Sequence, residues 1–294
     1  MSWRVVVISS RAKLDLQLGY MVVRGERTTK VHLDEISVLL IESTEVSLTA
    51  ALMAEMMERK IKVIFCDRKR NPSAELVPYY GSHDVSAKIK QQIAWSEAVK
   101  GEVGTAIIRS KIKMQAALLR SLCLETEAML EEYAVQLQYR DATNREGHAA
   151  KVYFNSIFGA GFTRADDTTT NAALNYGYTV ILAACNREIT ANNGYLTQLG
   201  LIHDNIFNAF NLGSDIMEPL RPFVDRLVYE MLLKEELNCF ENMQKYKILN
   251  VLNSYVMNCE KQVTLNYGIK VYCKSIFDAL NNTDVSMIKW NSFV

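Results

Sequence analysis

The stretch PYYGSHDVSAKIKQQIAWSEAVKG, residues 78–101, is where the sequence changes from the patterns of strands to those of helices. Pro78 is typical of a turn, and the strand patterns stop within the next few residues. From Val85 onward, apolar residues recur at intervals of three and four, as they do along one face of a helix. We therefore place a domain boundary within residues 81–87, which divides the chain into residues 1–84 and residues 85–294.

The first part of the chain has the patterns of a β-sheet domain. WRVVVIS (3–9) is rich in β-branched residues, and LDLQLGYMVVRG (14–25) alternates apolar and polar positions with a period of two, which predicts a strand with one buried face. Two further strand patterns are TTKVHLDEISVLLIES (28–43) and IKVIFCD (61–67). SLTAALMAEMMERK (47–60) is rich in Ala, Leu, Met and Glu and predicts a helix. We expect a β-rich, sandwich-like N-terminal domain with one helix.

The second part of the chain has helical spacing in every long segment. The longest, residues 105–138, is followed by segments such as NREGHAAKVYFNSIF (144–158) and KYKILNVLNSYVMN (245–258), for a total of six to eight helices. Strand patterns and helix patterns are thus segregated along the chain. This segregation predicts an α+β protein with two domains, of which the larger C-terminal domain is all-α.

Several classes of enzyme are excluded by missing motifs. The sequence has no G-x-S-x-G, no phosphate-binding P-loop, no G-x-G-x-x-G after a strand and no H-E-x-x-H. With four histidines in the whole chain, a zinc site built from several histidines is not expected. Carboxylates with one histidine remain, and such a set suits Mg²⁺ or Mn²⁺.

Charge, hydropathy and cysteine usage restrict the expected location of the protein and its expected partners. Lys and Arg total 33 and Asp and Glu total 33, a balance that is weak support for a nucleic-acid-binding surface. No stretch reaches the ~18 apolar residues of a membrane span. The six cysteines are scattered without a C-x-x-C pair, and no leader-like segment begins the sequence. We expect a cytoplasmic protein.

Four titratable residues stand out in the helical part, although each has a purely structural interpretation. Asp215 and Glu218 precede two prolines at a predicted helix start, with Asp215 in the LGSD turn, and acidic residues at such positions commonly satisfy free backbone N–H groups. Glu146 ends TNRE, which fits a capping box with Thr143 as the N-cap. His203 follows an apolar segment and could be a satisfied core residue. Taken singly, each residue favours the structural interpretation.

The order of these residues along the chain points to a family. Five motifs follow one another along the chain: KIKMQAALL (111–119), EGHAAKVYF (146–154), LNYGYTVIL (174–182), GLIH (200–203) and DIMEPLRPFVD (215–225). This series, together with the sheet-then-helix layout, resembles the CRISPR-associated integrases of spacer acquisition, the Cas1 family. The short N-terminal segment and overall length are similar to members from type II systems.

The resemblance implies a metal site. In that family a Glu, a His and an acidic residue gather around a divalent cation, and by motif these are Glu146, His203 and Glu218. Many relatives have Asp at the last position, so the longer Glu218 is a departure from the family pattern. Asp215 is then either an alternate ligand or a residue that supports the ligands without binding the cation. The implied cation is Mg²⁺ or Mn²⁺. Asn175, Tyr178 and Lys151 also fall within the matched motifs.

The implied reaction is metal-dependent insertion of short protospacer DNA at the leader–repeat end of a CRISPR array, by attack of a 3′-hydroxyl on a phosphodiester, with an associated endonuclease activity on branched DNA. Two alternatives remain open: a structure-specific DNA repair nuclease with the same residues, and a non-catalytic DNA-binding scaffold. Candidate contacts to the DNA backbone are Arg145, Lys151, Arg221, Arg59, Lys60, Arg109 and Lys111.

The resemblance also implies partners. Family members form homodimers through the sheet domain, and two such dimers flank a small ferredoxin-fold dimer, Cas2, in a hetero-hexamer that acts on double-stranded DNA. Insertion at two points needs two active sites at a fixed separation, which accords with such an assembly. The type II effector nuclease and its accessory protein are further candidate partners, and no membrane partner is expected.

Overall fold

The computed structural model describes residues 4–68, 70, 72–76, 78 and 84–294, and the chain divides into two compact units. One unit comprises Met1–Val85 with Thr190–Gly194, and the other comprises Ser86–Ile189 with Tyr195–Val294. Part of the expected boundary region, residues 81–83, lies outside the described residues. The strand-rich first part and helical second part confirm the predicted α+β class.

Among its described residues, the N-terminal unit contains two four-stranded sheets. In one sheet, with the order β1-β5-β7-β8, the first three strands are parallel and β8 is antiparallel to β7. In the other, with the order β4-β3-β2-β6, β2 to β4 are antiparallel and β6 runs parallel to β2. The strands are β1 Arg4–Ile8, β2 Ala12–Gln17, β3 Tyr20–Arg24, β4 Thr28–His32, β5 Ile36–Ile41, β6 Val46–Leu48, β7 Lys62–Cys66 and β8 Pro72–Leu76.

A tight hairpin turn divides the segment that had read as one strand pattern. Leu18 and Gly19 both have positive φ, 50° and 80°, as a two-residue turn between antiparallel strands requires. Leu18 is consequently 91% exposed rather than buried. The period-two pattern therefore predicted the strands correctly and missed the turn, because alternation continued across it.

One apolar core joins residues of both sheets of this unit with one face of the helix α1, Ala50–Glu58. Thr49 caps that helix by accepting from the Leu52 amide. Leu52 and Met56, four residues apart, are fully buried in this core, as expected for one face of a helix. The predicted single helix of this domain is confirmed within the described residues.

The larger unit is mainly helical. Its core includes apolar residues of α3, α4 and α5, among them Ile112, Leu119 and Tyr153. The helices are α2 Val85–Ile93, α3 Glu97–Ser121, α4 Glu127–Gln136, α5 Arg145–Phe158, α6 Thr169–Arg187, α7 Asn211–Met217, α8 Arg221–Leu233, α9 Asn242–Leu249 and α10 Leu265–Asn282. Among the described residues, no helix is long and apolar enough to cross a membrane.

A small antiparallel sheet modifies the all-α expectation for this unit. Its strands are β9 Tyr255–Asn258, β10 Lys261–Thr264 and β11 Asn291–Ser292. The segment 245–258 was expected to be one helix, but α9 ends at Leu249 and the segment finishes as β9. Cys259 and Glu260 both have positive φ and form the turn into β10. Helical spacing therefore extended the expected helix beyond its true end.

Candidate active site

Glu146 lies in the first turn of α5, with its carboxylate free of any capping role. The backbone N–H groups of Arg145 and Glu146 instead donate to Asp141, at 2.6 and 3.0 Å. Asn144 is the N-cap residue and adopts a left-handed backbone conformation. The predicted capping box with Thr143 is therefore wrong. Because Asp141 satisfies these amides, Glu146 can turn its carboxylate toward α3.

Glu218 lies in a short 3-10 turn, Glu218–Leu220, between α7 and α8. Asp215 is inside α7, so the expectation that it lies in a turn is wrong. Glu218 also has helical backbone angles despite preceding Pro219, contrary to the usual bias of such a residue. Only 5% of its side chain is exposed, so its carboxylate needs compensating charge.

Lys111 of α3 supplies that charge and connects the two glutamates. Its Nζ lies 2.6 Å from Oε1 of Glu146 and 2.5 Å from Oε2 of Glu218. Burial opposes the charge of the ammonium, but the carboxylates of Glu218 and Glu146 outweigh it and raise the pKa of Lys111. One buried cation therefore lies between two carboxylates that are 72 positions apart in the sequence (146 and 218).

Arg221 is the second cation on Glu218. Its Nε and a terminal nitrogen both lie 2.9 Å from Oε1 of Glu218, and its guanidinium is 4.5 Å from the centroid of the Tyr178 ring. Burial alone would raise the pKa of Glu218, but Lys111 and Arg221 lower it to about 2. The carboxylate is therefore ionised throughout the physiological range.

Asp215 organises the loop that carries His203. Its buried carboxylate accepts from the backbone N–H groups of Leu201, Ile202 and His203, at 2.6, 3.1 and 3.1 Å. It also contacts Nδ1 of His203 at 2.5 Å. Both carboxylate oxygens of Asp215 are therefore engaged by this loop. Of the two ring nitrogens of His203, Nδ1 contacts Asp215 and Nε2 does not.

Gly200 makes this tight loop possible. A Cβ at this position would lie 2.2 Å from the carbonyl oxygen of His203 and 3.0 Å from Oδ2 of Asp215. Any side chain would therefore force the loop away from the aspartate. The glycine of the GLIH motif is explained by close backbone approach.

Replacing Asp215 with asparagine is expected to remove the negative charge that faces Nδ1 of His203. The hydrogen bond to Asp215 is the largest cause of the raised pKa of His203, with burial opposing it. In D215N we therefore expect the pKa of His203 to fall, as measured by NMR titration of the ring protons. An unchanged histidine pKa would contradict this assignment of Asp215.

Glu146 and Glu218 meet at Lys111 in the helical unit, and their charges also act on His203. Besides the direct bridge through Lys111, the charges of Glu218 and Glu146 both contribute to raising the pKa of His203. In chemical type, two carboxylates and an imidazole whose Nδ1 is already held suit a divalent cation. Oε2 of Glu218 is buried and has an ion contact with Lys111 but no hydrogen bond of good geometry.

In this arrangement the side chains of Glu146, His203 and Glu218 do not form a metal coordination sphere. Among the described residues, no three His, Cys, Asp or Glu side chains are arranged to hold one metal ion. The ammonium of Lys111 lies between the two carboxylates. The donor set therefore fits a divalent cation in kind, provided that Lys111 withdraws.

A buried hydrogen-bonded cluster ties together the helices around this site. Tyr153 of α5 donates to Asp225 of α8 at 2.7 Å, and Tyr178 of α6 donates to the other oxygen of the same carboxylate. Burial raises the pKa of Asp225 to about 6, although both tyrosines act in the opposite direction. The cluster connects α5, which carries Glu146, with α8, which follows Glu218.

The family model of the CRISPR associated protein Cas1 matches residues 5–252 of the chain. The chain belongs to the Cas1 family. It is 37% identical over 234 residues to the CRISPR-associated endonuclease Cas1 of Neisseria meningitidis serogroup C (strain 8013), an alignment that covers 79% of this chain and 76% of the relative. The family predicted from the motifs is thus confirmed.

Two solved structures are similar in fold to this Cas1 chain. A casposase bound to integration product gives a TM-score of 0.79 at 17% identity, covering 97% of this chain and 93% of the casposase. A Cas6-RT-Cas1--Cas2 complex gives a TM-score of 0.75 at 16% identity, covering 98% of this chain and 36% of the matched chain. At these identities the likeness concerns the fold.

Two of the basic residues expected on a DNA-binding surface of this Cas1 chain have internal roles. Arg109 donates to the carbonyl oxygens of Ala134 and Leu137, at the C-terminal end of α4. Lys111 is buried between the site carboxylates. Lys111 therefore does not lie on an open basic face, and its interpretation as a surface contact to the DNA backbone is corrected, whereas a contact of Arg109 to DNA stays a prediction.

The remaining basic candidates differ in exposure and pairing. Arg59 pairs with Glu55 and Asp34, and Arg221 is engaged by Glu218. Lys60 follows α1 and has a positive φ of 57°. Lys151 is exposed on α5, and Arg145 lies over the Tyr133 ring, 5.5 Å from its centroid. Their contacts to DNA stay predictions.

Sequence reasoning named Lys111 but not its role at the centre of the site. The available signal was its position in KIKMQAALL, a motif that belongs to the same series as those of Glu146 and Glu218. Sequence reasoning also did not name Asp141 as the residue that caps α5, since it precedes the expected cap by two positions.

Proposed function

We propose that this Cas1 chain joins the 3′-hydroxyl ends of short duplex DNA to the leader–repeat end of a CRISPR array, and that it nicks branched DNA by the related hydrolytic reaction. The observation that carries the proposal is that the carboxylates of Glu146 and Glu218 share one buried cation, and that their charges also act on His203. Membership of a family whose relative is named an endonuclease supports the class of reaction.

The chemistry exchanges one phosphodiester for another. The oxygen of the incoming 3′-hydroxyl bonds to a phosphorus of the repeat strand, and the bond from that phosphorus to its own 3′-oxygen breaks. The attacking hydroxyl loses a proton and the departing oxygen gains one. The exchange needs neither ATP nor a covalent protein nucleophile, which agrees with the absence of a P-loop and of a G-x-S-x-G motif.

Each residue of the candidate site has a separate role in the proposed reaction. Asp215 holds the His203 ring through Nδ1 and so fixes the direction of Nε2. Arg221, anchored by Glu218 and the Tyr178 ring, places a fixed positive charge beside the site for a phosphate. Glu146 and Glu218 direct two carboxylates to the position between them.

Mg²⁺ or Mn²⁺ held by Glu146, Glu218 and Nε2 of His203 would supply Lewis-acid stabilisation of the charge that develops on the phosphate. Manganese tolerates the nitrogen ligand better than magnesium. The metal requirement rests on the donor set and on the family resemblance.

We further propose that the chain works as a homodimer, and that two such dimers flank a Cas2 dimer on double-stranded DNA. Insertion at both ends of a repeat needs two active sites at a fixed distance, which one chain does not provide. A fold neighbour is described as a Cas6-RT-Cas1--Cas2 complex, which supports Cas2 as the partner class. Binding of a type II effector nuclease and its accessory protein extends this proposal.

The test is a gel assay with purified protein, Cas2, a labelled 3′-hydroxyl duplex and a leader–repeat plasmid. With Mn²⁺ we expect label to enter the plasmid, and EDTA present from the start should prevent it. Duplex with 3′-dideoxy ends serves as the matched control and should not be joined.

Each outcome has a distinct meaning. Joining in the presence of EDTA would exclude the metal mechanism, and joining of dideoxy ends would exclude the 3′-hydroxyl as nucleophile. Nicking without joining would favour the structure-specific nuclease. DNA binding without either reaction would favour the scaffold.

A further inference from the structure

We infer that Lys111 is a built-in cation that keeps Glu146 and Glu218 together before a divalent ion binds, and that it competes with that ion for both carboxylates. The inference rests on the proposed function in that it takes these residues to be metal ligands. It concerns a different property, namely the affinity of the site for the metal.

The contacts of Lys111 resemble those of a bound cation. Its ammonium touches one oxygen of each glutamate, Oε1 of Glu146 at 2.6 Å and Oε2 of Glu218 at 2.5 Å. The second oxygen of Glu218 is engaged by Arg221. A divalent ion that binds Glu218 at the oxygen not engaged by Arg221 therefore competes with the ammonium for Oε2.

Like charges explain why such a cation is needed. Two carboxylates this close repel each other, and Glu218 is almost fully buried, so repulsion between them is poorly screened by solvent. Lys111 cancels that repulsion when no metal is present. It keeps the ligands near their binding geometry and thereby lowers the reorganisation that metal binding requires.

The position of Lys111 in the fold makes withdrawal of the side chain possible without moving the helix. Its Cα lies in the middle of the 25-residue α3, whose neighbouring residues Ile112 and Met114 are buried in the core. The backbone is thus fixed, whereas the lysine stem is flexible and carries a compact charge. Arg221, held by the Tyr178 ring, has no comparable freedom.

The two effects of Lys111 oppose each other, and competition is expected to dominate. Without the ammonium, the two carboxylates gain more from a divalent ion because only the metal relieves their repulsion. Removing the charge should therefore tighten metal binding while destabilising the metal-free protein. A lysine that only packs the helices would affect stability without tightening metal binding.

The experiment is a Mn²⁺ titration of the purified full-length chain, followed by the loss of the free-ion EPR signal and by calorimetry, without DNA. We expect K111M to bind Mn²⁺ about tenfold or more tightly than wild type, and its melting temperature to rise more on Mn²⁺ addition. K113M is the matched control because Lys113 lies exposed on the same helix. Its affinity should equal that of wild type.

The outcomes separate this inference from the proposed function. If wild type binds no more Mn²⁺ than E146Q, the proposed metal site fails. If wild type binds at that site and K111M binds equally or more weakly, the competition is overturned. Should K111M not fold without metal, folding on Mn²⁺ addition supports the inference, and K111Q repeats the affinity measurement with an uncharged polar side chain. Failure of both variants to fold even with Mn²⁺ would show that a metal cannot replace the ammonium.

Discussion

Replacing Glu146 with glutamine is expected to lower strand joining by about a hundred- to a thousandfold, the range seen when one charge-stabilising group of an active site is removed. The substitution keeps the shape of the side chain and removes its charge. One of the two carboxylates around the cation position would thus be lost, and the charge developing on the phosphate would be less well stabilised.

The same substitution is expected to leave the fold almost unchanged. Asp141, and not Glu146, satisfies the first amides of α5. The Glu146 side chain is 30% exposed, and Lys111 keeps Glu218 as a partner when Glu146 is neutral. A partly exposed ion pair contributes little to stability, so we expect a melting temperature within a few degrees of wild type.

The measurement pairs a joining assay with thermal unfolding of the same preparation. E131Q is the matched control, since Glu131, like Glu146, pairs with a basic side chain of α3, here Arg120, but lies on α4, outside the candidate site. E131Q should join DNA as wild type does. If E146Q joined DNA at the wild-type rate, the scaffold interpretation would gain and the catalytic one would fail.

The fold was predictable where the periodicity of a segment matched its true length. The helical spacing of α5 and the β-branched runs of β1 and β7 identified those elements directly. Prediction failed where a pattern continued past the end of an element, at the Leu18–Gly19 turn and beyond Leu249, where α9 ends. The first of these is a turn with a non-glycine residue, Leu18, at positive φ, which the sequence pattern does not reveal.

The ligand candidates of the site were predictable from motif order, but their partners were not. Motifs placed Glu146, His203 and Glu218 in one series, and the structure brings Glu146 and Glu218 together at Lys111. Whether a lysine faces solvent or two carboxylates depends on how α3 packs against the turn at Glu218. For this reason Lys111 was assigned to a DNA surface, although it is buried in the site.

Replacing Glu218 with glutamine is expected to destabilise the protein by about 3 kcal/mol at neutral pH, in addition to impairing strand joining. This loss of unfolding free energy follows from the lowering of the pKa of Glu218 from 4.5 to about 2 in the folded protein, at about 1.4 kcal/mol per pH unit. It agrees with the usual cost of removing one partner of a buried ion pair. For a domain of this size the melting temperature should fall by roughly 10 °C.

The pH dependence has a definite sign. Because the pKa is lower in the folded state than in the unfolded state, the stabilisation by Glu218 is complete above about pH 4.5 and is lost as the pH falls toward 2. The difference in unfolding free energy between wild type and E218Q should therefore be constant from pH 8 to about pH 5 and shrink below that.

Urea unfolding of both proteins at a series of pH values measures this difference directly. E230Q is the control, because Glu230 pairs with Arg226 at a site where both side chains are 43% exposed. Its effect should be under about 1 kcal/mol. E218D retains the charge and should recover part of the stability. Equal losses for E218Q and E230Q would mean that Lys111 and Arg221 do not depend on Glu218, and the charge arrangement of the site would have to be rejected.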